Sequence, residues 1–518
     1  MPTPQTVILI GDLASCHRLE QQLALLNPCP ISLGWIIHDP LHSSNSSASH
    51  SASVACIESS VSQRESTSEI SAPPILGNLA DLEAVIARRT PAAALLSFPS
   101  AMKQLITNVR TRLRKLRVQD RFFPALEDLL NGVGPRTHVD INLSELIDRP
   151  PRALEIDSIR SIITGKTVLL TGAGGSIGSE IARIVTQFEP GRLILIDRSE
   201  NALFEIDRQI ARLRPEMPRK AILWDVVDDS GTLEIFRDCA PQVVFHAAAH
   251  KHVPMMEDHP GAAIDNNLFG TMSVANAADL VGCERMVVIS TDKAVNPSSI
   301  MGATKRLAEL YVQNLSARSD THFAIVRFGN VLGSSGSVLD IWSREIAEGG
   351  PLTITDPRMT RYFMTIPEAA SLVIQAGAII DEDAPSCEVF LLDMGEPVKI
   401  VDLACRFVQQ HALEPILPSD NGHFGQNSSS EKIPGAIKIV YAGARPGEKL
   451  HEQLAFEAEF MRPTRHPDIN IWVLSPPDDR YIQQMLHELH PLNRQQNPAA
   501  LAKAIRRILP EMSQPVAA

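Results

Sequence analysis

The sequence has little of what metal, disulfide or membrane chemistry requires. Its 518 residues include only seven cysteines, with no Cys-x-x-Cys pair and no histidines at zinc spacing. An odd, dispersed set of thiols fits a reducing cytosol better than a disulfide framework, and no metal site is expected. No apolar run reaches membrane-spanning length. The first apolar run, Val7–Ile10, has no basic region before it and the length of a buried strand, so no signal peptide is expected and the cytoplasm is the expected location. A positive excess is missing too: 48 basic residues against 60 acidic ones give a charge of −12. That balance argues against a nucleic-acid partner, and the one compact basic run, Arg110–Arg117, reads as the solvated face of a helix. A hydrophobic share of 44% and a charged share of 21% are ordinary for a soluble globular protein. The length points to two or three domains.

Val7–Asp12 reads as a strand running into a turn, Arg18–Leu26 as a helix and Leu33–His38 as a second strand. From His42 to Pro74 the composition turns to Ser, His and Asn. Such a segment cannot bury enough surface to offset its ordering entropy, so a disordered insertion is expected there. Leu79–Arg88 (helix), Ala92–Phe98 (strand) and Ala101–Leu116 (helix) complete a small parallel α/β domain over residues 1–125. Its first turn has only Gly11 where a dinucleotide fingerprint places three glycines, so a structural or regulatory role is favoured over a working nucleotide site. Residues 126–160, broken by Pro150-Pro151, read as a connector. A second α/β domain is expected over 161–475. A helical tail over 476–518 carries periodic segments at Arg480–Leu489 and Ala499–Ile508.

The second domain has a clear dinucleotide signal. The strand Thr167–Thr171 leads into Gly172-Ala-Gly174-Gly175-Ser176-Ile177-Gly178, and a helix follows over Ser179–Gln187. The next strand, Arg192–Ile196, ends at Asp197. Glycines here permit a tight turn and close approach to a pyrophosphate, which the helix N-terminus attracts. Asp197 favours a free ribose 2′-hydroxyl, hence NAD. Arg198 beside it can hold a 2′-phosphate, hence NADP, and the lean is slightly to NAD. Further strands at Ala221–Trp224, Gln242–Phe245, Met286–Ile289 and His322–Arg327 each end at a polar loop, as in a doubly wound sheet that places ligands beyond its carboxyl ends. Asp225 and Val226 then resemble adenine-side contacts of the short-chain dehydrogenase superfamily. Ala247, Ala248 and Ala249 resemble the loop beneath the nicotinamide.

The stretch Ser290–Lys305 resembles a short-chain dehydrogenase active site in which Tyr-x-x-x-Lys has become Met301-x-x-x-Lys305, with Thr291, Asp292 and Lys293 just before it. On a helix, positions 301 and 305 share one face. Together with Thr171–Glu180, Asp197–Ala202, Ala249–Glu257, Phe328–Gly336, Met359–Thr365 and Ala444–Leu450, it resembles the UDP-N-acetylglucosamine 4,6-dehydratases of bacterial polysaccharide biosynthesis, which are extended short-chain dehydrogenases. The likeness runs from about Asp157 to Leu454. It implies an extended short-chain dehydrogenase Rossmann domain with a small C-terminal substrate-binding lobe, preceded by a degenerate Rossmann-like domain. Larger family members carry membrane helices before that first domain; their lack here implies a soluble form. Met301 places the chain with the long, methionine-containing branch, for which retention of configuration at C5 is implied.

The resemblance implies a redox-neutral sequence: C4 oxidation by a recycled NAD or NADP, loss of water across C5 and C6, and return of the hydride to C6. Asp292 takes the role of acid and Lys293 that of base, which requires a lysine pKa lowered by burial or a neighbouring cation. Lys305 would hold the nicotinamide ribose and help whichever group takes the C4 proton. Methionine cannot take it, and the expectation is that Thr291 binds the C4 hydroxyl and relays its proton through water or toward Lys305. Asn330 resembles the family's substrate-contacting Asn. Lys251 faces cofactor or substrate phosphates, or else a surface ion pair. Arg361 and Arg445 read as diphosphate clamps, with structural ion pairs as the alternative. Glu448 would orient an arginine or a sugar hydroxyl, and His250 and His252 pack or hydrogen-bond. A UDP-sugar is the expected substrate, and a homo-oligomer is expected by likeness to related enzymes. The alternatives are a nucleotide-sugar 4-epimerase, which needs no acid–base pair for elimination, and an inactive cofactor-bound regulator.

Overall fold

The computed structural model describes residues 6–23, 31–38, 74–98, 102–116, 118–124, 143–147, 149, 155–379, 387–411, 413–418, 435–445, 447–454, 461–472, 475–494 and 497–512. Save for Pro74, the Ser-rich segment expected to be a disordered insertion lies outside the described residues, as does most of the expected connector. The chain divides into two compact units, the smaller built from its N-terminal part and the larger from Ile141–Phe407 and Lys438–Ala518, with short stretches between those ranges shared between the two. Among the described residues no helix is long and apolar enough to cross a membrane.

The smaller unit is a parallel five-stranded sheet made of β1 (Thr6–Gly11), β2 (Ile31–Ile37), β3 (Ile75–Asn78), β4 (Ala93–Phe98) and β5 (Gln119–Pro124), in the order β3-β2-β1-β4-β5. Helices α1 (Leu13–Leu23), α2 (Leu82–Arg89) and α3 (Lys103–Lys115) connect it. Side chains alternate across a strand, so Ile8, Ile10 and Leu96 pack with Leu82, Val109 and Leu113, while Val7, Leu9 and Leu95 pack with Leu19, Leu23 and Trp35. The edge strands β3 and β5 escape a sequence reading because they are short or polar. Helix α1 begins well before Arg18: the Asp12 carboxylate accepts from Ser15 N (2.9 Å) and Ser15 Oγ (2.7 Å), satisfying first-turn donors. Gly11 has a packing reason, since a Cβ there would lie 2.2 Å from the Ser97 carbonyl oxygen.

The larger unit holds a nine-stranded sheet. Its parallel strands are β6 (Thr167–Thr171), β7 (Arg192–Asp197), β8 (Arg219–Leu223), β9 (Val243–His246), β10 (Arg285–Ile289), β11 (His322–Arg327) and β12 (Glu388–Leu392). The antiparallel pair β13 (Met461–Pro463) and β14 (Ile469–Trp472) extends it beyond β12, giving β13-β14-β12-β11-β10-β9-β6-β7-β8. Helices α4 (Ser176–Gln187), α5 (Glu200–Leu213), α6 (Asp229–Cys239), α7 (Gly270–Leu280), α8 (Ile300–Ser316) and α9 (Ile366–Ala378) cover its two faces. Two apolar cores result, α4, α5 and α9 packing over one face and α6, α7 and α8 over the other. The chain passes from β6 outward to β7 and β8, then returns to β9 on the opposite side. The strand ends at this switch point open the crevice where such sheets bind ligands.

Helix α8 carries Met301 and Lys305 and is buried at every residue from Ile300 to Leu315. A helix buried all round needs cover on every side. The expected tail helices supply part of it as α10 (Asp479–Arg494) and α11 (Pro498–Ile508), through Ile482, Met485, Leu489, Leu501 and Ile505. Each such side chain contributes about 1.5–3 kcal/mol when fully buried. Asn314 Nδ2 donates to Asp479 Oδ1 (2.9 Å) and Arg306 Nε to Glu511 Oε1 (3.3 Å), which pins the tail to the helix.

Candidate active site

A cavity of about 660 Å³ lies at the carboxyl ends of the central strands. One wall is the glycine turn. Gly172 has φ +65°, and a Cβ on it would lie 2.6 Å from Ala248 N, so the turn closes against the β9 loop only with glycine. Gly175 caps α4 without any side-chain hydrogen bond, and Gly175, Ser176, Ile177 and Gly178 all line the cavity. The uncapped N-terminus keeps its N–H groups and positive dipole end for an anion. These residues fit the pyrophosphate of a dinucleotide. Asp197 braces the turn: Oδ2 accepts from Gly174 N (2.9 Å) and Oδ1 from Ser199 N (2.8 Å). The Arg198 guanidinium reaches Asn266 Oδ1 (3.3 Å) and His250 Nε2 (3.0 Å) and lies 3.8 Å from Asp225 Oδ2. Ala247 and Ala249 line the cavity, whereas Ala248 packs on Gly172 and Val226 is buried in the core.

The Thr291–Lys293 turn follows β10. Asp292 is fully buried, its N–H donating to the Phe328 carbonyl (3.0 Å). Its Oδ1 accepts from both Thr291 Oγ1 and Lys293 Nζ, each at 2.9 Å, while Oδ2 has no hydrogen-bond partner among the described residues. Lys293 Nζ also donates to Asn330 Oδ1 (3.0 Å) and lies 3.8 Å from Glu452 Oε1. Burial pushes the Lys293 pKa down, but the Asp292 and Glu452 carboxylates more than offset it, and the net direction is upward. A base needs the opposite shift. The burial is present, yet two anions outweigh it.

Met301 and Lys305, both buried, line the cavity beside this turn. Ser299 Oγ accepts from Gly302 N (3.1 Å) and Glu257 Oε1 from Ile300 N (2.6 Å), so the start of α8 is fixed twice over. Lys305 Nζ donates to the Ile289 carbonyl (2.6 Å), and burial brings its pKa down to about 8 in spite of Glu309. Beneath the site, Glu309 Oε1 accepts from Ser290 Oγ (2.6 Å) and Arg327 Nε (2.7 Å), a buried network that holds the strand end.

The remaining candidates divide. Lys251 Nζ donates to the Ser335 carbonyl (2.7 Å), and Ser335 N donates to Ser176 Oγ (3.0 Å), so Lys251 secures a loop over the glycine turn. Arg361 Nη1 donates to the Thr360 carbonyl (2.7 Å), with Nε 3.7 Å from Glu452 Oε1. Arg445 is exposed at the wall, and its N–H donates to Glu448 Oε2 (3.4 Å). All four residues line the cavity; Gly172, Asp197, Arg198, Asp225 and Asp292 stand behind its surface or beside it. Glu452 and Glu309 were missed. Neither carries a local signal: Glu452 lies two residues past the Ala444–Leu450 segment, and Glu309 sits one turn beyond Lys305 in a helical pattern.

Residues 168–473, which include every residue lining the cavity, match the family described as polysaccharide biosynthesis protein. The chain is 39% identical over 439 residues to the probable polysaccharide biosynthesis protein EpsC of Bacillus subtilis, covering 84% of this chain and 70% of that protein. It is 45% identical over 334 residues to the capsular polysaccharide biosynthesis protein CapD of Staphylococcus aureus, covering 64% of this chain and 52% of that protein. To a UDP-N-acetylglucosamine 4,6-dehydratase (inverting) of Campylobacter jejuni it is 32% identical over 296 residues, 56% of this chain and 78% of that one. With its doubly wound sheet, its glycine turn and this match across the cavity, the chain belongs to the polysaccharide biosynthesis protein family.

Proposed function

We propose that the protein is a nucleotide-sugar 4,6-dehydratase that converts UDP-N-acetylglucosamine to a UDP-4-keto-6-deoxy sugar for surface polysaccharide biosynthesis. The observation that carries the reading is the 2.9 Å contact between Lys293 Nζ and Asp292 Oδ1 at the cavity wall. Eliminating water across C5 and C6 requires a base at one carbon and an acid at the next. A proton passing from Lys293 to Asp292 along this hydrogen bond makes the amine and the carboxylic acid together. The amine then takes the C5 proton while the carboxyl group protonates the departing C6 hydroxyl, and the pair returns to ammonium and carboxylate. Lys293 need not lose its proton to solvent, so its raised pKa is compatible with the role of base.

A nicotinamide dinucleotide, held by the glycine turn and the start of α4, supplies the hydride acceptor and donor when bound. Around it, Thr291 Oγ1 donates to Asp292 and keeps a lone pair for the C4 hydroxyl. Lys305, with a pKa of about 8, receives the relayed proton or helps it leave. Met301 shapes the wall and exchanges no proton. NAD is favoured over NADP because Arg198 is drawn to Asp225, whose charge also opposes a 2′-phosphate. Arg445 has no carboxylate ion pair among the described residues and is the better diphosphate clamp; Arg361 is already held near Glu452. A 4-epimerase returns its hydride to C4 and has no use for the Asp292–Lys293 pair.

Incubation with UDP-N-acetylglucosamine in deuterated water, followed by mass spectrometry and proton NMR, tests the reading. Loss of one water, a new C6 methyl group and deuterium at C5 are expected, with C5 configuration retained. A C4 epimer formed without water loss would transfer the protein to the epimerases.

A further inference from the structure

Glu452 has no obvious reason to be where it is. Its side chain is only 4% exposed, with Oε1 3.8 Å from Lys293 Nζ and 3.7 Å from Arg361 Nε. Its Oε2 is buried and has no hydrogen-bond partner among the described residues. A buried acceptor left without a hydrogen-bond partner is unfavourable, and more so when charged. Lys293 faces two anions, Asp292 and Glu452, and two cations, Arg361 and Lys449. Lys449 Nζ is turned to the Val295 carbonyl (2.7 Å), and Asn330 and Thr291 complete the polar surround.

When Asp292 carries the proton it will give to the leaving hydroxyl, it is neutral. Glu452 is then the anion left beside Lys293. Resting on the dehydratase reading, we propose that Glu452 is a positioning residue, the fixed anion beside which Lys293 becomes an ammonium as it takes the C5 proton. The step moves one proton from C5 to Nζ and one from the Asp292 carboxyl to the departing oxygen. Measured from the amine and carboxylic acid, positive charge develops on Nζ in the transition state, where a preorganised buried anion is effective. The same carboxylate also lies 3.7 Å from Arg361 Nε, which fixes its place beside the amine.

The test is Glu452→Gln, which removes the charge and keeps the shape, assayed on UDP-N-acetylglucosamine bearing deuterium at C5 or at C4. The expected result is a kcat lower by about 10- to 100-fold, with KM little changed. The C5 isotope effect should grow and the C4 effect shrink as C5 deprotonation becomes limiting, and Glu452→Asp should recover part of the rate. A raised KM with kcat intact would make Glu452 a ground-state acceptor for a substrate hydroxyl and overturn the proposal. Unchanged kinetics would overturn it as well. If Glu452→Gln does not fold, Glu452→Asp is read the same way: a smaller fall in kcat with the same isotope pattern supports the role, and wild-type isotope effects refute it. Wild-type enzyme that releases no water sinks the dehydratase reading itself; wild-type dehydration with an unaltered Glu452→Gln enzyme sinks only this proposal.

Discussion

Lys305 allows a prediction whose size follows from the structure. The ammonium is buried, with one hydrogen bond to the Ile289 carbonyl, and its pKa falls from 10.5 to about 8. At 1.36 kcal/mol per pKa unit that shift corresponds to about 3 kcal/mol. The sign follows from proton counting. Below pH 8 the folded and unfolded states both carry the proton, and the fold bears the full cost of burying the charge. Between pH 8 and 10.5 the unfolded chain binds more protons than the folded one, so stability rises with pH and the cost disappears. Lys305→Met removes the titration. The variant-minus-wild-type difference in unfolding free energy should therefore change by about 3 kcal/mol from pH 7 to above pH 10, with the variant relatively favoured at the lower pH. Urea unfolding of both proteins in matched buffers measures it, following the larger unit's transition, because a chain of two units need not unfold in one step. Other titrating groups cancel in the difference. A gap that stays flat across this range would show that Lys305 is not an ammonium strained by burial, and its part in the C4 proton transfer would fall with it.

Three further outcomes are expected. Thr291→Ala should cut turnover by about 10- to 100-fold through loss of the C4 hydroxyl contact, while Asp292 stays in place through its N–H bond to Phe328; undiminished turnover dismisses the relay. The nucleotide extracted from purified protein should be NAD, and Asp225→Ala, which removes the carboxylate beside Arg198, should raise NADP affinity relative to NAD in a competition assay. A bound NADP in the wild type would reverse the cofactor assignment.

How far the sequence foretold this architecture depended on whether a feature was local. The strands Thr167–Thr171 and His322–Arg327 have the predicted bounds, since a fully buried parallel strand is a compact apolar run between turns. Asp292, Lys293, Met301 and Lys305 were legible because a few consecutive residues carry them. The antiparallel β13 and β14 were not, being short strands whose pairing is set by distant partners. Helix α4 starts at Ser176, three residues earlier than read, because Ser176-Ile177-Gly178, which looks like the end of a glycine loop, forms its first turn. Most telling is Lys293, whose neighbours in sequence supply only one of its two anions. The other, Glu452, lies more than 150 residues away and resembles any surface acid until the fold buries it.

The two sheets differ at the turn where the first helix of each begins. Both begin with an apolar strand, a glycine and a helix. In the larger unit the helix starts at Ser176 behind a glycine with no capping side chain, so its N–H groups and dipole stay available for an anion. In the smaller unit Asp12 already satisfies the first turn of α1 through Ser15 and sets a carboxylate at the helix start, which disfavours an anion there. Gly11 stays small there because the Ser97 carbonyl oxygen crowds it, not because a ligand approaches. The missing glycines and the added carboxylate therefore act in the same direction. A capped helix start is a stability feature worth about 1 kcal/mol, gained by giving up the electrostatics that would hold a dinucleotide, and this argues for a structural or regulatory use of the smaller unit.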